Sequence, residues 1–296
     1  MLTEKQLRDI ASILRRDSLK ATTTAGSGHP SSCLSCAEII SCLFFSEMSY
    51  DSKNQENPDN DEFILSKGHA APILYSALYR SGCIKDNLES LRKLESKLEG
   101  HPMPSLKWIK VATGSLGQGL SIGLGMAIAS KLQGKKYRTF VLLGDSEMAE
   151  GSIYETAQLA SFYKIGVIAI LDANKLGQRG ETMTGHNLNE YDFRFKSLGW
   201  NTTIIDGHDI SQIINSIRNA KQDQPNIIIA KTYKGKGVLQ MQNKLGWHGK
   251  ALTEIELRSA LSDLPAPKMP KLSIKKPEKI KIKIESSKLL LPSYQI

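Results

Sequence analysis

The chain has 296 residues, of which 40% are apolar, 23% charged and 6% aromatic, a composition typical of ordinary globular proteins. It excludes collagen-like and disordered chains, and no apolar run approaches the roughly 18 to 20 residues that cross a bilayer. Four cysteines (Cys33, Cys36, Cys42 and Cys83) are too few for a disulfide scaffold. We therefore expect a cytoplasmic protein with buried thiols and no membrane association.

The net charge of +9 is concentrated at one end of the chain. Residues 265–296 hold eight lysines and two glutamates, and also five of the 11 prolines, which leaves a net charge of only +3 for residues 1–264. A charged tail is weak evidence for a nucleic-acid-binding surface, so we expect no nucleic-acid partner. We predict one domain over residues 1–264 and a linker-like tail over residues 265–296.

Helical patterns dominate the first third of the chain. Thr3 and Gln6 form a capping-box pattern, which predicts an N-terminal amphipathic helix. A second apolar helix is predicted over residues 31–48 and a third over residues 72–80. Between them, residues 63–66 form a short strand-like run.

The central part predicts alternating strands and helices. Apolar runs at residues 139–143 and 166–171 are typical of strands buried on both faces, and Ser152 with Glu155 gives a capping-box pattern for a helix between them. Residues 202–205, a helix from Asp209 and residues 226–230 repeat the pattern. We predict a three-layer α/β fold, with a mainly parallel central sheet, helices on both faces and ligands at the carboxyl ends of the strands.

Two of the strand ends carry oxygen ligands. Asp145 follows the first buried strand, and Asn174 follows the second. If these strands are neighbours, their side chains and the Leu176 carbonyl can hold Mg²⁺ or Ca²⁺, with a diphosphate supplying further oxygens. Alternatively, Asp and Asn at these positions are turn or capping residues.

Glycine-rich turns and histidines provide a second signal. Residues 114–120 form a glycine-rich helix start, which suits either an anion or close helix packing. His29, His69, His101 and His248 each stand beside a glycine. Such histidines are either loop residues or a polar pocket that binds oxyanions and moves protons.

The chain resembles the transketolase family in its diphosphate-binding half. Nine motifs appear in family order: G-S-G-H-P (26–30), S-K-G-H-A-A-P (66–72), G-H-P (100–102), G-S-L-G-Q-G-L (114–120), G-D-S-E-M-A-E-G (144–151), D-A-N-K-L-G-Q (172–178), D-G-H (206–208), K-T-Y-K-G-K-G (231–237) and W-H-G-K (247–250). The resemblance implies thiamine diphosphate and a divalent metal held by Asp145, Asn174 and Leu176.

The resemblance also assigns the remaining site residues. The implied cofactor-binding residues are Ser32, His69, Gly114, Ser115, Leu116, Asp145, Ser146, Asn174, Gln178, Lys234 and His248. The implied catalytic residues, which face the donor sugar and the proton-transfer path, are His29, His69, His101 and His248. Ser146 departs from the glycine usual in the family, which would cost energy if this backbone needed a positive φ.

The pyrimidine-binding half of the family, with its activating glutamate, has no counterpart in this sequence, and residues 291–294 resemble the linker that leads into it. We therefore expect the N-terminal subunit of a split transketolase, with a separate C-terminal subunit, two copies of each and sugar phosphate substrates. The alternative is a subunit of another thiamine-dependent enzyme, such as a 1-deoxyxylulose synthase or a 2-oxo acid dehydrogenase. This alternative is disfavoured by His69, His101 and the turn at His248, which are more typical of transketolases. A non-catalytic paralogue is a further alternative.

Overall fold

A five-stranded parallel sheet forms the centre of the protein, in a computed structural model that describes residues 2–278. Its spatial order is β1-β2-β3-β5-β4. The strands are β1 (Glu62–Leu65), β2 (Thr139–Gly144), β3 (Ile168–Ala173), β4 (Asn201–Asp206) and β5 (Asn226–Lys231). Because every pairing is parallel, all strand carboxyl ends lie at one edge.

Helices cover both faces of this sheet. They are α1 (Glu4–Thr24), α2 (Pro30–Ser35), α3 (Ala37–Cys42), α4 (Ala71–Arg80), α5 (Gln118–Leu132), α6 (Gly151–Phe162), α7 (Leu188–Ser197), α8 (Ile210–Arg218) and α9 (Glu254–Asp263). One buried cluster joins α1, α3, α4 and α8 to one face, and another joins α5, α6 and α7 to the other. The predicted three-layer α/β fold is confirmed.

Alternating residues of the strands explain the two cores. Phe140 and Leu142 point into the first cluster, whereas Val141 and Leu143 point into the second. All six residues of β2 and of β3 are buried. Their apolar side chains therefore stabilise both layers, as expected for parallel strands between helices.

Two local predictions differ from the structure. The helix predicted over residues 31–48 is broken at Cys36, where φ is −102° and ψ is 16°, and it ends in a π-helical turn, Leu43–Glu47. The predicted capping box of Ser152 is wrong. The helix starts at Gly151 with Glu150 as its N-cap, because a 3₁₀ turn, Ser146–Ala149, leads the chain directly into it. The predicted Thr3 and Gln6 capping box is confirmed.

The start of the predicted tail packs against its own domain. The Ser12 hydroxyl donates to the Pro265 carbonyl oxygen at 2.6 Å, and the Tyr50 N–H donates to the Lys275 oxygen at 2.8 Å. Met269, Leu272 and Ile274 contact the first apolar cluster. The first part of the predicted tail therefore contacts its own domain, while residues 279–296 lie outside the described residues.

The four cysteines are free thiols, and three of them are buried. Burial raises the pKa of Cys33 and of Cys36 to about 12, so both are inert, as their predicted packing role requires. Within residues 2–278, no helix is long and apolar enough to span a membrane.

Candidate active site

The loops after β2 and β3 meet at the carboxyl edge of the sheet. These strands are neighbours, with Gly144 paired to Asp172. Asp145 follows directly, and its carboxylate accepts a hydrogen bond from the Lys175 N–H at 2.5 Å. The two loops therefore lie close together, as the predicted metal site requires.

The oxygen atoms at this junction suit a hard cation. Burial and the negative charge of Asp172 raise the pKa of Asp145 to about 7. A bound cation would lower this pKa again, because it favours the charged carboxylate. The Asn174 Oδ1 accepts from the Leu176 N–H at 3.2 Å, and the Leu176 oxygen accepts from Lys234 Nζ at 2.8 Å. Each oxygen retains a lone pair, so the set fits a cation whose remaining ligands come from a diphosphate.

No cluster of three or more His, Cys, Asp or Glu side chains within the described chain could hold a metal ion by itself. The predicted metal ligands include one such side chain, Asp145, together with the Asn174 amide oxygen and the Leu176 carbonyl oxygen.

Ser146 takes the place of the family glycine without backbone strain. Its φ is not positive, because it begins the 3₁₀ turn, and its N–H donates to Asp145 Oδ1 at 2.9 Å. A Cβ added at Gly177 would lie 2.9 Å from the Ser146 hydroxyl oxygen. Serine is therefore compatible with this turn, and Gly177 leaves room for its hydroxyl.

Four histidines from different loops form one cluster. The ring centroid of His29 lies 5.2 Å from that of His69, 6.4 Å from that of His101 and 5.0 Å from that of His248. His69 and His248 are also 5.0 Å apart. The predicted histidine pocket is thus present in the geometry, although the roles of its members stay predictions.

Hydrogen bonds from neighbouring loops bring these histidines together. The Ser31 hydroxyl donates to the Trp247 oxygen at 2.7 Å, which joins the loop of His248 to that of His29. The Tyr75 hydroxyl donates to the oxygens of Glu99 and His101, at 2.9 and 3.1 Å. These contacts hold two loops that are far apart in sequence over the sheet edge.

The histidines are neutral at pH 7. Burial and the charges of neighbouring side chains lower the pKa of His29 to about 4 and that of His248 to about 3. Burial lowers the pKa of His69 and of His101 as well. His248 Nδ1 lies 2.7 Å from Lys234 Nζ and accepts a hydrogen bond from it, so His248 Nε2 carries the ring hydrogen.

The glycines of the glycine-rich segment fall into two groups, of which one confirms the close helix packing that the sequence left open. A Cβ at Gly114 would lie 3.0 Å from the His101 ring, and Gly117 has a φ of +83°. Ser115 and Leu116 are exposed on this turn. Gly119 and Gly123, by contrast, pack α5 closely against Ser66 and Val141. The first two glycines shape the site, and the other two permit helix packing.

Among the residues that the structure describes, the buried Ser32 Oγ and His29 Nδ1 have no hydrogen-bond partner. Such atoms are costly to bury unless a ligand or water satisfies them. Gln178 is exposed and lines the same groove as Asp145 and Ser146. Asp145, Ser146 and Gln178 thus line one groove, whereas the cofactor-binding roles of the predicted residues stay predictions.

Sequence reasoning assigned no role to the buried pair Lys67 and Asp172. Lys67 Nζ contacts the Asp172 carboxylate and donates to the Ser32 oxygen at 3.0 Å, and the Ser35 hydroxyl donates to Asp172 at 2.6 Å. Burial opposes ionisation of Asp172, but Lys67 outweighs it and lowers the pKa. Charged residues at the ends of buried strands are the signal that could have identified this pair.

Glu147 also received no role from the sequence. Its buried carboxylate accepts from the Ser66 hydroxyl, from the Gly117 N–H at 2.8 Å and from the Gly144 N–H at 3.1 Å. It thereby joins the glycine-rich turn to the ends of β1 and β2.

The two remaining histidines lie outside the cluster. His186 Nε2 is 3.1 Å from the Thr232 oxygen. His208 Nδ1 donates to Glu38 at 3.0 Å, since its Nε2 accepts from the Tyr233 N–H at 3.0 Å. Both contacts are structural, which agrees with their absence from the predicted catalytic set.

Comparisons with known proteins give the family. Residues 6–281 match the family described as "Transketolase, thiamine diphosphate binding domain". Human transketolase is 48% identical over 249 residues, which cover 83% of this chain and 40% of that protein. Bovine transketolase-like protein 2 is 47% identical over 255 residues, covering 84% of this chain and 41% of that protein.

Solved structures agree with this match. Transketolase from Campylobacter jejuni superposes with a TM-score of 0.83 at 33% identity, over 88% of this chain and 43% of that one. Pichia stipitis transketolase in complex with sedoheptulose 7-phosphate gives 0.81 at 30% identity, over 88% of this chain and 41% of that one. The chain thus spans about 40% of the length of these relatives. It belongs to the transketolase family, whose thiamine diphosphate binding domain it matches.

Proposed function

We propose that this chain is the diphosphate-binding half of an active transketolase, which transfers a two-carbon ketol unit from a ketose phosphate to an aldose phosphate. The observation that carries this proposal is the convergence of four histidines and an oxygen-ligand set on one sheet edge, in a domain of this family. Bound thiamine diphosphate supplies the electron sink for breaking and forming the carbon–carbon bonds.

The chain's own residues hold the cofactor in this proposal. Asp145, Asn174 and the Leu176 carbonyl bind Mg²⁺ or Ca²⁺, and through it the diphosphate. Ser32, with its unpartnered hydroxyl, and Lys234 add polar contacts to the ligand. The remaining contacts come from His69, Gly114, Ser115, Leu116, Ser146, Gln178 and His248.

The four histidines handle protons and sugar oxygens. A neutral imidazole can donate through one nitrogen and accept through the other, which suits hydroxyl and carbonyl groups that exchange protons during the reaction. His29 Nδ1 has no partner within the described residues, so it is free to bond the substrate. Since their pKa values are lowered, these rings do this as neutral groups.

We propose that a separate C-terminal subunit supplies the pyrimidine-binding half and the activating glutamate, for which no residue of this chain has been assigned. We further propose two copies of each subunit. An exposed apolar surface supports self-association: Leu132 and Phe162 are each 78% exposed, and Leu159 is 51% exposed, on the neighbouring helices α5 and α6. Such surfaces are typical of protein interfaces.

Asp145→Ala tests the assignment of the cofactor site. Removing the carboxylate takes away the one anionic metal ligand, so we expect thiamine diphosphate affinity in the assembled complex to fall at least tenfold with Mg²⁺ present. Calorimetric titration measures this, with the exposed Asp223→Ala as the control. Unchanged affinity in Asp145→Ala would refute the metal assignment.

A further inference from the structure

A second pocket lies at the amino edge of the sheet, opposite the loops that carry the histidines and the oxygen ligands. It encloses about 260 Å³ between the end of α5, the loop before β2 and the segments that precede β3 and β5. Its inner wall consists of buried residues, Ala127, Ser130, Thr139 and Ile165. Its mouth consists of exposed residues, Lys131, Lys136, Lys164, Gln222 and Asp223.

The Thr139 hydroxyl of the inner wall is buried without a hydrogen-bond partner in the part of the chain that the structure describes. The residue is only 1% exposed, and an unpaired hydroxyl at such depth costs free energy unless a ligand or water satisfies it. Its methyl carbon lies on the side of α5, 3.6 Å from the place of a Cβ added at Gly123. The hydroxyl therefore indicates a polar ligand atom in this pocket.

Three lysines give the mouth of the pocket a positive charge. The ammonium groups of Lys136 and Lys164 make no hydrogen bond or ion pair within residues 2–278. Lys131 Nζ donates to the backbone oxygens of Tyr163 and Lys164, each at 3.3 Å. Because these two acceptors are uncharged, the charges of all three lysines remain available to an anion.

The other charged residues of the pocket leave this excess in place. Lys135 pairs with Asp59 at 2.7 Å, and Arg138 pairs with Asp61 at 2.8 Å, so these charges cancel. Among the described residues that line the pocket, Asp223 is the only carboxylate. Three lysines and one carboxylate leave a net charge of +2 at the mouth.

Hydrogen bonds and close packing hold the walls of the pocket in place. The Ser130 hydroxyl donates to the Tyr137 oxygen at 3.2 Å, and the Tyr137 hydroxyl donates to the Met126 oxygen at 3.0 Å, which ties the loop before β2 to α5. A Cβ added at Gly166 would overlap the Gln222 oxygen, so the segments before β3 and β5 are in close contact. The pocket is thus formed by fixed elements of the fold.

We propose that this pocket binds a phosphate group, either free phosphate or a small phosphate monoester. Such a group carries about two negative charges near pH 7 and several acceptor oxygens, which matches the net charge at the mouth. The lysines contact the phosphate oxygens, and the Thr139 hydroxyl supplies a further donor from the inner wall. The inference goes beyond the proposed function and does not rest on it, because this pocket lies at the other edge of the sheet.

Protection of lysines from acetylation tests this site on the full chain, with inorganic phosphate and glycerol 3-phosphate as probes at constant ionic strength. Lys131 is exposed and is retained in every variant, so the concentration at which a probe protects it reports the affinity of this pocket. Mass spectrometry measures the acetylation of each lysine. We expect protection of Lys131, Lys136 and Lys164 and none of Lys85, an exposed lysine that does not line the pocket.

Two variants separate the contributions of charge and hydroxyl. The double variant Lys136→Gln with Lys164→Gln should weaken the protection of Lys131 about tenfold or more. Thr139→Val keeps the shape of the side chain and should weaken protection about threefold, whereas its unfolding temperature should not fall, because the lost hydroxyl has no partner. Lys85→Gln removes the same charge elsewhere and should change nothing.

The two probes distinguish the possible ligands. Tighter binding of glycerol 3-phosphate would identify a monoester, and equal or tighter binding of inorganic phosphate would identify free phosphate. Protection of Lys85 to the same degree, or protection of Lys131 that is unchanged in the double variant, would show an ionic effect only and overturn the proposal.

Discussion

Glu147 joins three loops of the site through one buried carboxylate, which is only 1% exposed. Its hydrogen bonds from Gly117 and Gly144 fix the glycine-rich turn against the end of β2, where Asp145 begins the predicted metal site. Burial raises the pKa of Glu147, and these bonds partly oppose that effect. The residue acts on the site by positioning loops.

Glu147→Gln tests this positioning role. The amide group turns one acceptor into a donor that faces N–H groups, so we expect a loss of about 1 to 3 kcal/mol in the free energy of unfolding. Cofactor affinity in the assembled complex should fall as well, because the loops that hold the diphosphate loosen. Urea unfolding and calorimetry measure the two effects. The exposed Glu89→Gln should change neither, and wild-type behaviour of Glu147→Gln would show that the loops do not depend on this carboxylate.

Glu38 connects α3 to α1 through a two-bond pair with Arg15, at 2.6 and 2.7 Å, and also accepts from His208. Burial alone would raise its pKa, but Arg15 and His208 outweigh burial and lower the pKa to about 2. The folded state therefore binds this proton less tightly than the unfolded state does. The resulting stability is complete above pH 4.5 and is lost as the pH falls towards 2.

Glu38→Gln should therefore lower the free energy of unfolding by an amount that depends on pH. At pH 7 the variant leaves Arg15 charged and buried, which costs about 3 to 5 kcal/mol. The difference from wild type should narrow below pH 4.5, because Glu38 becomes protonated in the unfolded wild-type chain while it stays ionised in the folded one. Urea unfolding between pH 7 and 3 measures this difference in the free energy of unfolding. The control is Glu95→Gln, which changes an exposed carboxylate. A difference independent of pH would contradict the assigned pKa.

The sequence predicts the histidines and the oxygen ligands of the site better than it predicts the buried residues that position them. His29, His69, His101 and His248 occur in recognisable glycine motifs, so their positions could be proposed without coordinates. Asp172, the partner of Lys67, and Ser66, a partner of Glu147, lie tens of residues away along the chain. Only the folded sheet edge brings those partners together, which is why no local pattern predicts their roles.

At the scale of elements, α5 packs closely against the sheet, because two glycines face it. An added Cβ at Gly119 would lie 2.8 Å from Ser66 Cα, and one at Gly123 would overlap the Val141 side chain. Gly125, on the same helix, is exposed and has no atom within 4 Å of an added Cβ.

Gly123→Ala and Gly125→Ala form a matched pair. We expect Gly123→Ala to destabilise the isolated chain by about 1 to 3 kcal/mol, because the methyl group forces α5 away from β2. Gly125→Ala should stabilise it by about 0.5 to 1 kcal/mol, since alanine is favoured in helices and meets no neighbour. Thermal unfolding measures both. Equal effects of the two changes would contradict the close packing of α5.

Strand positions could be predicted well because buried parallel strands are apolar throughout, as in β2 and β3. The break in the helix at Cys36 could not be predicted from the sequence. The hydroxyl of the neighbouring Ser35 donates to Asp172, far along the chain, and this contact accompanies the end of α2 at Ser35. Helix boundaries that involve such distant contacts carry no local signal.

At the scale of the whole molecule, the proposed function requires a second half to complete the active site. The predicted metal ligands and histidines lie at one sheet edge, while α5 and α6 expose apolar side chains on one face. The match spans about 40% of the length of human transketolase. Both features agree with a domain that completes its site by assembly.

The most direct measurement is a ketol-transfer assay with thiamine diphosphate, Mg²⁺, xylulose 5-phosphate and ribose 5-phosphate. It is run on this chain alone and on the chain mixed with a C-terminal transketolase half. We predict turnover only in the mixture, because in the proposed function the activating glutamate comes from the second half. Turnover by this chain alone, or no turnover in any mixture that forms a complex, would contradict the account.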